Sequence, residues 1–536
     1  MNPLLTRPLE LPPTISNYSH PPTMTNIITI INFIRGCEPR GYVDLVSPVE
    51  HQLALHREHG LPGTFLFQYD ALEGEFVRLF DDKPDDIELG LWLEIMQPLV
   101  ESCGLEWRGR FPWDWHSDVG FTVGYSPDER KALADEAMRK FKETFGYYPK
   151  SVGSWTIDAV TLAYLSDKYG VDAFCDCKEQ WGTDGYTLWG GYPGGGYYPS
   201  RRNMMSPERD GSDRINTPMF RMLGADPIYQ YDFGMDVSSG LTDCQGVVTL
   251  EPVYTGNTGG GGVPKWVDWY LSETFAGRGI SVAYTQIGQE NSFGWDKMKN
   301  GLIYQYAEAK KLADAGKVNV ITLGEAGRLF KSKYGSTPPV TVTALSDWAG
   351  NGHQSVWYAS KSYRVNVLTK NDTLRIRDLW LFGVNDEIYL NDICRSELQT
   401  FETFPVMDGA RFTGHGILAG IYPRTADGKD IVFDDIEYTE DESSGTAKLR
   451  LIGGNSGGMT VTMTEDGIEV TCGKDFRLDY VADKDGRYGV SDAGSADKKV
   501  TIGYNGQSAS IEIVSGRYEN GSVISENGRA AVSLKR

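Results

Sequence analysis

The sequence predicts an α/β protein in which a (β/α)7-type, TIM-like barrel is followed by an antiparallel β-sandwich. Three observations carry this expectation. Apolar β-type runs alternate with helical periodicity from Asn26 to about residue 335, and a Ser-Thr-Pro-Pro linker follows at 336–339. Beyond the linker, period-two alternation takes over, punctuated by turns such as Asn371-Asp372, Asp466-Gly467 and Asn520-Gly521. The expected layout is a disordered or extended tail over 1–25, a barrel over 26–335 and sandwich structure over 340–536.

Each element has a local reason. IITIINFI (27–34) is the first strand, ending in Arg35-Gly36-Cys37-Glu38-Pro39-Arg40. A helix opens at Ser47-Pro48-Val49-Glu50, read as a capping box with proline in the first turn, and stops near Gly60. GTFLFQYDAL (63–72) and IELGLWLEI (87–95) are the next strands. An aromatic, glycine-bearing insertion covers 105–125. The box Ser126-Pro127-Asp128-Glu129 then opens a helix whose Leu133, Ala137, Phe141 and Phe145 share one face, and Gly146 supplies its stop. SVGSWTID (151–158), DAFCDC (172–177), MFRMLGAD (219–226), VVTLEPVY (247–254) and ISVAYTQI (280–287) read as further strands. A long loop spans 178–202, and a helix runs near 296–315. VNVITL (318–323) reads as the last barrel element or a packing strand.

Composition narrows the function. A formal net charge of −21 argues against nucleic acid or an anionic membrane as partner, since both recruit lysine and arginine. Aromatic residues make up 12% of the chain, with 13 Trp and 29 Tyr. Rings beside carboxylates and amides suit a carbohydrate, whose apolar C–H faces are ringed by hydroxyls. The seven cysteines are scattered, which favours free thiols over a disulfide framework or a zinc site. The seven histidines lack metal-ligand spacing, and His51, His56 and His59 read as surface residues of an early helix. GGYPGGGYY lacks the lysine and hydroxyl residue of a phosphate loop, so neither a metal nor an organic cofactor is expected.

Barrels hold their chemistry where strands end. The sharpest such place is SVAYTQIGQENSFGW (281–295), where a strand gives way to amides, one acid and aromatics. Glu290 is therefore the first candidate for a catalytic carboxylate, oriented by Gln286, Gln289 and Asn291 and walled by Trp295. Glu251, locked by Pro252, is its expected partner, because glycosidic hydrolysis needs two carboxyl groups astride the bond. Asp226, Asp70 and Glu94 are substrate-contact candidates at other strand ends, Glu94 being equally suited to pairing with an arginine. Asp114 and His116 in the insertion, Trp155 within SVGSWTID, and Trp181, Asp184 and Trp189 in the long loop complete the set.

The order of elements over roughly 26–330 resembles the incomplete (β/α)7 barrels of polysaccharide deacetylases and glycoside hydrolase family 57. The resemblance rests on the first strand, on TFLF in the second, on IELGLWLE, and on SPDERKALADEAMRKFKETFGYYPKSVGSW. NFIRGCEPR stands in place of the deacetylase aspartate motif, and no HxxxH pair occurs. The resemblance therefore implies a metal-independent glycosidase of the family 57 kind, with a carbohydrate esterase, a polysaccharide lyase or a non-catalytic glycan-binding protein as the alternatives.

Overall fold

Strand β1 (Asn26–Ile34) is mostly apolar and is buried on both faces past its first residue, the pattern of a central parallel strand. The computed structural model of the chain describes residues 26–230, 247–485, 488 and 490–535, so the expected tail over 1–25 lies outside the described residues. From β1 the chain continues through α1 (Val46–His59), β2 (Gly63–Phe67), α2 (Glu75–Arg78), β3 (Ile87–Trp92), α3 (Gln97–Ser102), α4 (Pro127–Phe145), β4 (Ser151–Gly153), α5 (Ala159–Tyr169) and β5 (Ala173–Cys177). Next come the short strands β6 (Gln180–Thr183), β7 (Tyr186–Trp189) and β8 (Gly196–Tyr197), then β9 (Met219–Met222), α6 (Pro264–Thr274), β10 (Ala283–Ile287), α7 (Trp295–Asp314), β11 (Asn319–Ile321) and α8 (Leu323–Lys333).

These strands form a nearly closed, barrel-like sheet in the order β10-β1-β2-β3-β4-β5-β9-β8, with β11 added beside β1. All neighbours along this path are parallel except β8, which runs antiparallel to β9. β1 serves two partners in register, β10 through Asn26–Ile30 and β2 through Ile31–Ile34. Among the described residues no ladder joins β9 to β10; the Leu223 N–H donates instead to Gln286 Oε1 at 3.1 Å.

Two expected elements differ from what forms. The stretch 247–254 is not a strand: Thr249 makes one isolated bridge to Ala225 before the chain turns at Glu251-Pro252. The expected long loop holds the β6–β7 hairpin, whose Asp184-Gly185 turn has φ of 43° and 77°, the pair a two-residue type I′ turn requires. β5 therefore reaches β9 through a hairpin and not through a helix.

Helix signals were legible to different degrees. Ser126 and Glu129 form the expected reciprocal capping box on α4, and Gly146 ends that helix in the left-handed region. α1 starts earlier than its proline suggests. Asp44 Oδ1 accepts the N–H groups of Val46 and Ser47, leaving Ser47 inside the helix. His56 is buried between Leu61 O, Asn32 and Tyr306, contrary to the surface reading, and burial lowers its pKa to about 4. Cys175 and Cys177 are buried free thiols.

Beyond residue 339 two antiparallel sheets share one apolar core. Thr446–Ile452 shows why: Ala447, Leu449 and Leu451 are buried while Lys448 and Arg450 point to solvent. Gln399–Glu402 leaves these sheets and pairs in parallel with β7, joining the hairpin beside the barrel mouth. Among the described residues no helix is long and apolar enough to cross a membrane.

Candidate active site

Four strand ends deliver polar side chains to one place. Arg35 follows β1 directly, Gln68 follows β2, Glu94 lies two residues past β3, and Glu290 three past β10. Arg35 is fully buried. Its Nε and Nη2 donate to Glu94 at 3.2 and 2.9 Å, and Gln68 Nε2 donates to Glu94 Oε2 at 3.1 Å. Arg35 Nη1 lies 3.4 Å from Glu290 Oε1, and the guanidinium carbon lies 3.9 Å from the centroid of the buried Trp113 ring. Asn291 fixes the Arg35 backbone from both sides, accepting its N–H and donating to its carbonyl, each at 2.9 Å.

Glu290 owes its position to Gly288. There φ is +115°, and a Cβ would stand 2.1 Å from the Ile31 carbonyl oxygen, so glycine alone lets the chain pass this close to β1. Past it, the parallel pairing with β1 resumes as a Phe33–Glu290 bridge. Gln289 then touches both leading acids. Its Oε1 accepts the Glu290 N–H at 2.9 Å, and its Nε2 donates to Glu251 Oε1 at 3.2 Å. Thr249 Oγ1 donates to Glu251 Oε2 at 3.1 Å, and Ser292 Oγ donates to Glu290 Oε1.

Glu251 and Glu290 line one cavity of about 350 Å³. Trp155 and Tyr186 contribute apolar wall, and Trp155 packs edge-on to Trp92, with centroids 5.3 Å apart. Glu38, Arg40 and Asp184 form a rim in which Arg40 pairs with both acids. Three buried polar atoms on cavity-lining residues, Glu290 Oε2, Trp155 Nε1 and Gln180 Nε2, have no hydrogen-bond partner among the described residues. Such atoms call for a polar ligand or water.

The other sequence candidates are placed as follows. Asp184 and Trp155 line the cavity, while Glu94 and Gln289 support it from behind. Asp70 accepts the Gly36 N–H at 3.0 Å beneath the loop after β1. Asp226 accepts from the indoles of Trp266 and Trp348 and from the backbone of Ile228 and Tyr229, a fully committed buried carboxylate away from the cavity lining. Asp114 binds Arg110 and His116; burial would raise its pKa, but these hydrogen bonds hold it at about 2. Trp181 and Trp189 meet edge-on at 5.1 Å beside Arg411, and Trp295 stacks on His51 at 4.4 Å. These three indoles lie outside the cavity lining.

Reasoning from strand ends missed Arg35, the cation around which the acids gather. Its only sequence signal is its place directly after a mostly apolar strand, where a buried charge needs a partner. Among the described residues no group of three His, Cys, Asp or Glu side chains is placed to hold a metal ion.

Burial raises several carboxyl pKa values: Asp70 to about 6, Glu94 and Asp176 to about 7, and Glu387 to about 8. Desolvation is the leading cause in each. The folded state therefore keeps protons that the unfolded chain has released, so stability falls as pH rises through this window. His56 acts oppositely, but only below the ordinary histidine value. Differential scanning calorimetry is expected to show Tm falling between about pH 6.5 and about pH 8, with protons released on unfolding.

Residues 118–355 match a family described as a domain of unknown function with solved structure, DUF3863. A Parabacteroides distasonis protein provisionally assigned as a glycoside hydrolase/deacetylase shares the fold at a TM-score of 0.51 and 16% identity, over 72% of this chain and 92% of that one. A Mycobacterium smegmatis protein provisionally assigned as a polysaccharide deacetylase overlaps more loosely, at a TM-score of 0.34 and 13% identity over 61% of this chain and 98% of its own. No curated protein matches the sequence.

Proposed function

We propose that this protein is a carbohydrate-active hydrolase and, more finely, a glycoside hydrolase whose carboxylate pair is Glu290 and Glu251. One observation carries the proposal: two buried glutamates from separate chain segments open onto one cavity and are held by the same amide, Gln289. Hydrolysis of a glycosidic bond needs that pairing. Glu251 donates a proton to the departing glycosidic oxygen as the bond to the anomeric carbon breaks. Glu290, ion-paired with Arg35, attacks the anomeric carbon or removes a proton from the attacking water. Trp155 and Tyr186 offer the apolar surface against which a sugar ring packs.

The fold shared with a protein provisionally assigned as a glycoside hydrolase/deacetylase supports the carbohydrate reading at its coarser level. A metal-dependent deacetylase needs a ligand set of His, Asp or Glu around one point, and the described residues do not fit that requirement. Incubation with a panel of polysaccharides and their acetylated forms separates the two chemistries. New reducing ends that persist in a chelator are the expected result. Release of acetate without new reducing ends would replace the glycosidase with an esterase.

A further inference from the structure

Next to the cavity stands an aromatic pair that the mechanism does not use. Phe111 and Trp115 lie within 9° of parallel with ring centroids 5.7 Å apart. Phe111 is 40% exposed, and Trp115 is half-buried. Large rings left in water need an explanation when they are held in place, and these are. The buried carboxylate of Asp114 accepts the backbone N–H and Nε of Arg110 at 2.9 and 3.1 Å and the backbone N–H of His116 at 3.2 Å. One acid thereby pins the chain on both sides of the pair. Trp107 Nε1 adds a hydrogen bond to the Phe111 carbonyl at 3.0 Å.

The pair adjoins the cavity through Arg40. That side chain lines the cavity, and its guanidinium carbon lies 5.4 Å from the Trp115 ring centroid. A cavity of about 350 Å³ sits at the small end of ligand sites, so a polymer threaded into it has to extend past the rim. Arg40 in the cavity lining, and Arg110 with Glu397 paired at 3.4 Å beside the aromatic pair, offer hydrogen-bonding groups suited to hydroxyls.

We infer that the Phe111–Trp115 pair is a distal subsite that stacks a further sugar unit of the same chain whose scissile bond sits between Glu251 and Glu290. The inference rests on the carbohydrate reading above and deepens it: the substrate is an oligo- or polysaccharide that spans the rim, in place of a small glycoside that fits the cavity alone. Asp114 is then a positioning residue, touching the aromatic loop and not the sugar.

Isothermal titration of the full-length Glu290→Gln protein tests this, with xylo-, cello-, manno- and chito-oligosaccharides from disaccharide to hexasaccharide as probes. Affinity for the series that binds is expected to step up with length. Phe111→Ala and Trp115→Ala in the same background are each expected to weaken the longest ligand about tenfold, the loss of one stacking contact, with the loss shrinking as the ligand shortens. Trp115→Phe should recover most of the affinity, and matching circular dichroism spectra would show that the variants fold. If oligosaccharides bind but the variants lose nothing, or lose equally at every length, the subsite is overturned and the carbohydrate reading stands. If no oligosaccharide binds and no polysaccharide is cleaved by the wild type, both fall.

Discussion

Replacing Glu290 by glutamine is expected to lower turnover by roughly two to four orders of magnitude, the range a positioned carboxyl group supplies. The amide keeps the size of the side chain and can still accept from Ser292, so the variant should fold and bind. It can neither attack nor take a proton. Glu251→Gln should fail differently. A proton donor matters most when the departing oxygen is strongly basic, so this variant should recover much of its rate on a dinitrophenyl glycoside, whose leaving group needs no proton. Glu290→Gln should show no such recovery. Steady-state rates on the two substrate types assign the roles, and equal behaviour of the two variants would remove the assignment. The double variant is expected to be little worse than Glu290→Gln alone, because groups acting in one step do not multiply.

Arg35→Met should cost more stability than any other single change at the mouth. The wild-type cation lies against Glu94 and Glu290, whose side chains are 0% and 4% exposed. Removing one partner of a buried ion pair leaves charge without compensation, a loss of roughly 3–5 kcal/mol. Methionine fills similar space, so the loss reads electrostatics more than a cavity. The pH dependence supplies the sign. Without Arg35, Glu94 escapes its repulsion from Glu290 by holding its proton, which acid favours and base opposes. Urea unfolding at about pH 5 and about pH 8 should therefore show the gap from wild type widening with pH. A gap that stays constant would mean that Arg35 acts through packing on Trp113 alone.

Much of the frame was legible because local signals agreed with the tertiary outcome. The apolar run of β1 could be buried only as a central strand, and Ser126 with Glu129 announced α4 from four residues. The stretch 247–254 misled because its β-branched residues resemble a strand, whereas Thr249 alone bridges, to Ala225, before the chain turns at Glu251-Pro252. The β6–β7 hairpin hid within a loop whose glycines masked the Asp184-Gly185 turn. At the site, strand-end logic named Glu251, Gln289 and Glu290, which the fold brings together, and Asp226, which it commits to two indoles. Sequence alone does not distinguish an acid facing a cavity from one facing a tryptophan N–H. Arg35 was hidden by convention: a charge after a strand reads as the start of a loop, and only three-dimensional convergence shows it buried among acids.

The pairing of Gln399–Glu402 with β7 has a consequence for how this molecule can vary. The hairpin that holds Asp184 and Tyr186 against the cavity takes its outer hydrogen bonds from a segment more than two hundred residues downstream. Remove that segment, and β7 becomes an unpaired edge, open to foreign strands and free to drift from the rim. Mutational drift in the sandwich thus has a mechanical route to the substrate, and transplanting the barrel onto another partner would leave one wall of its own cavity behind.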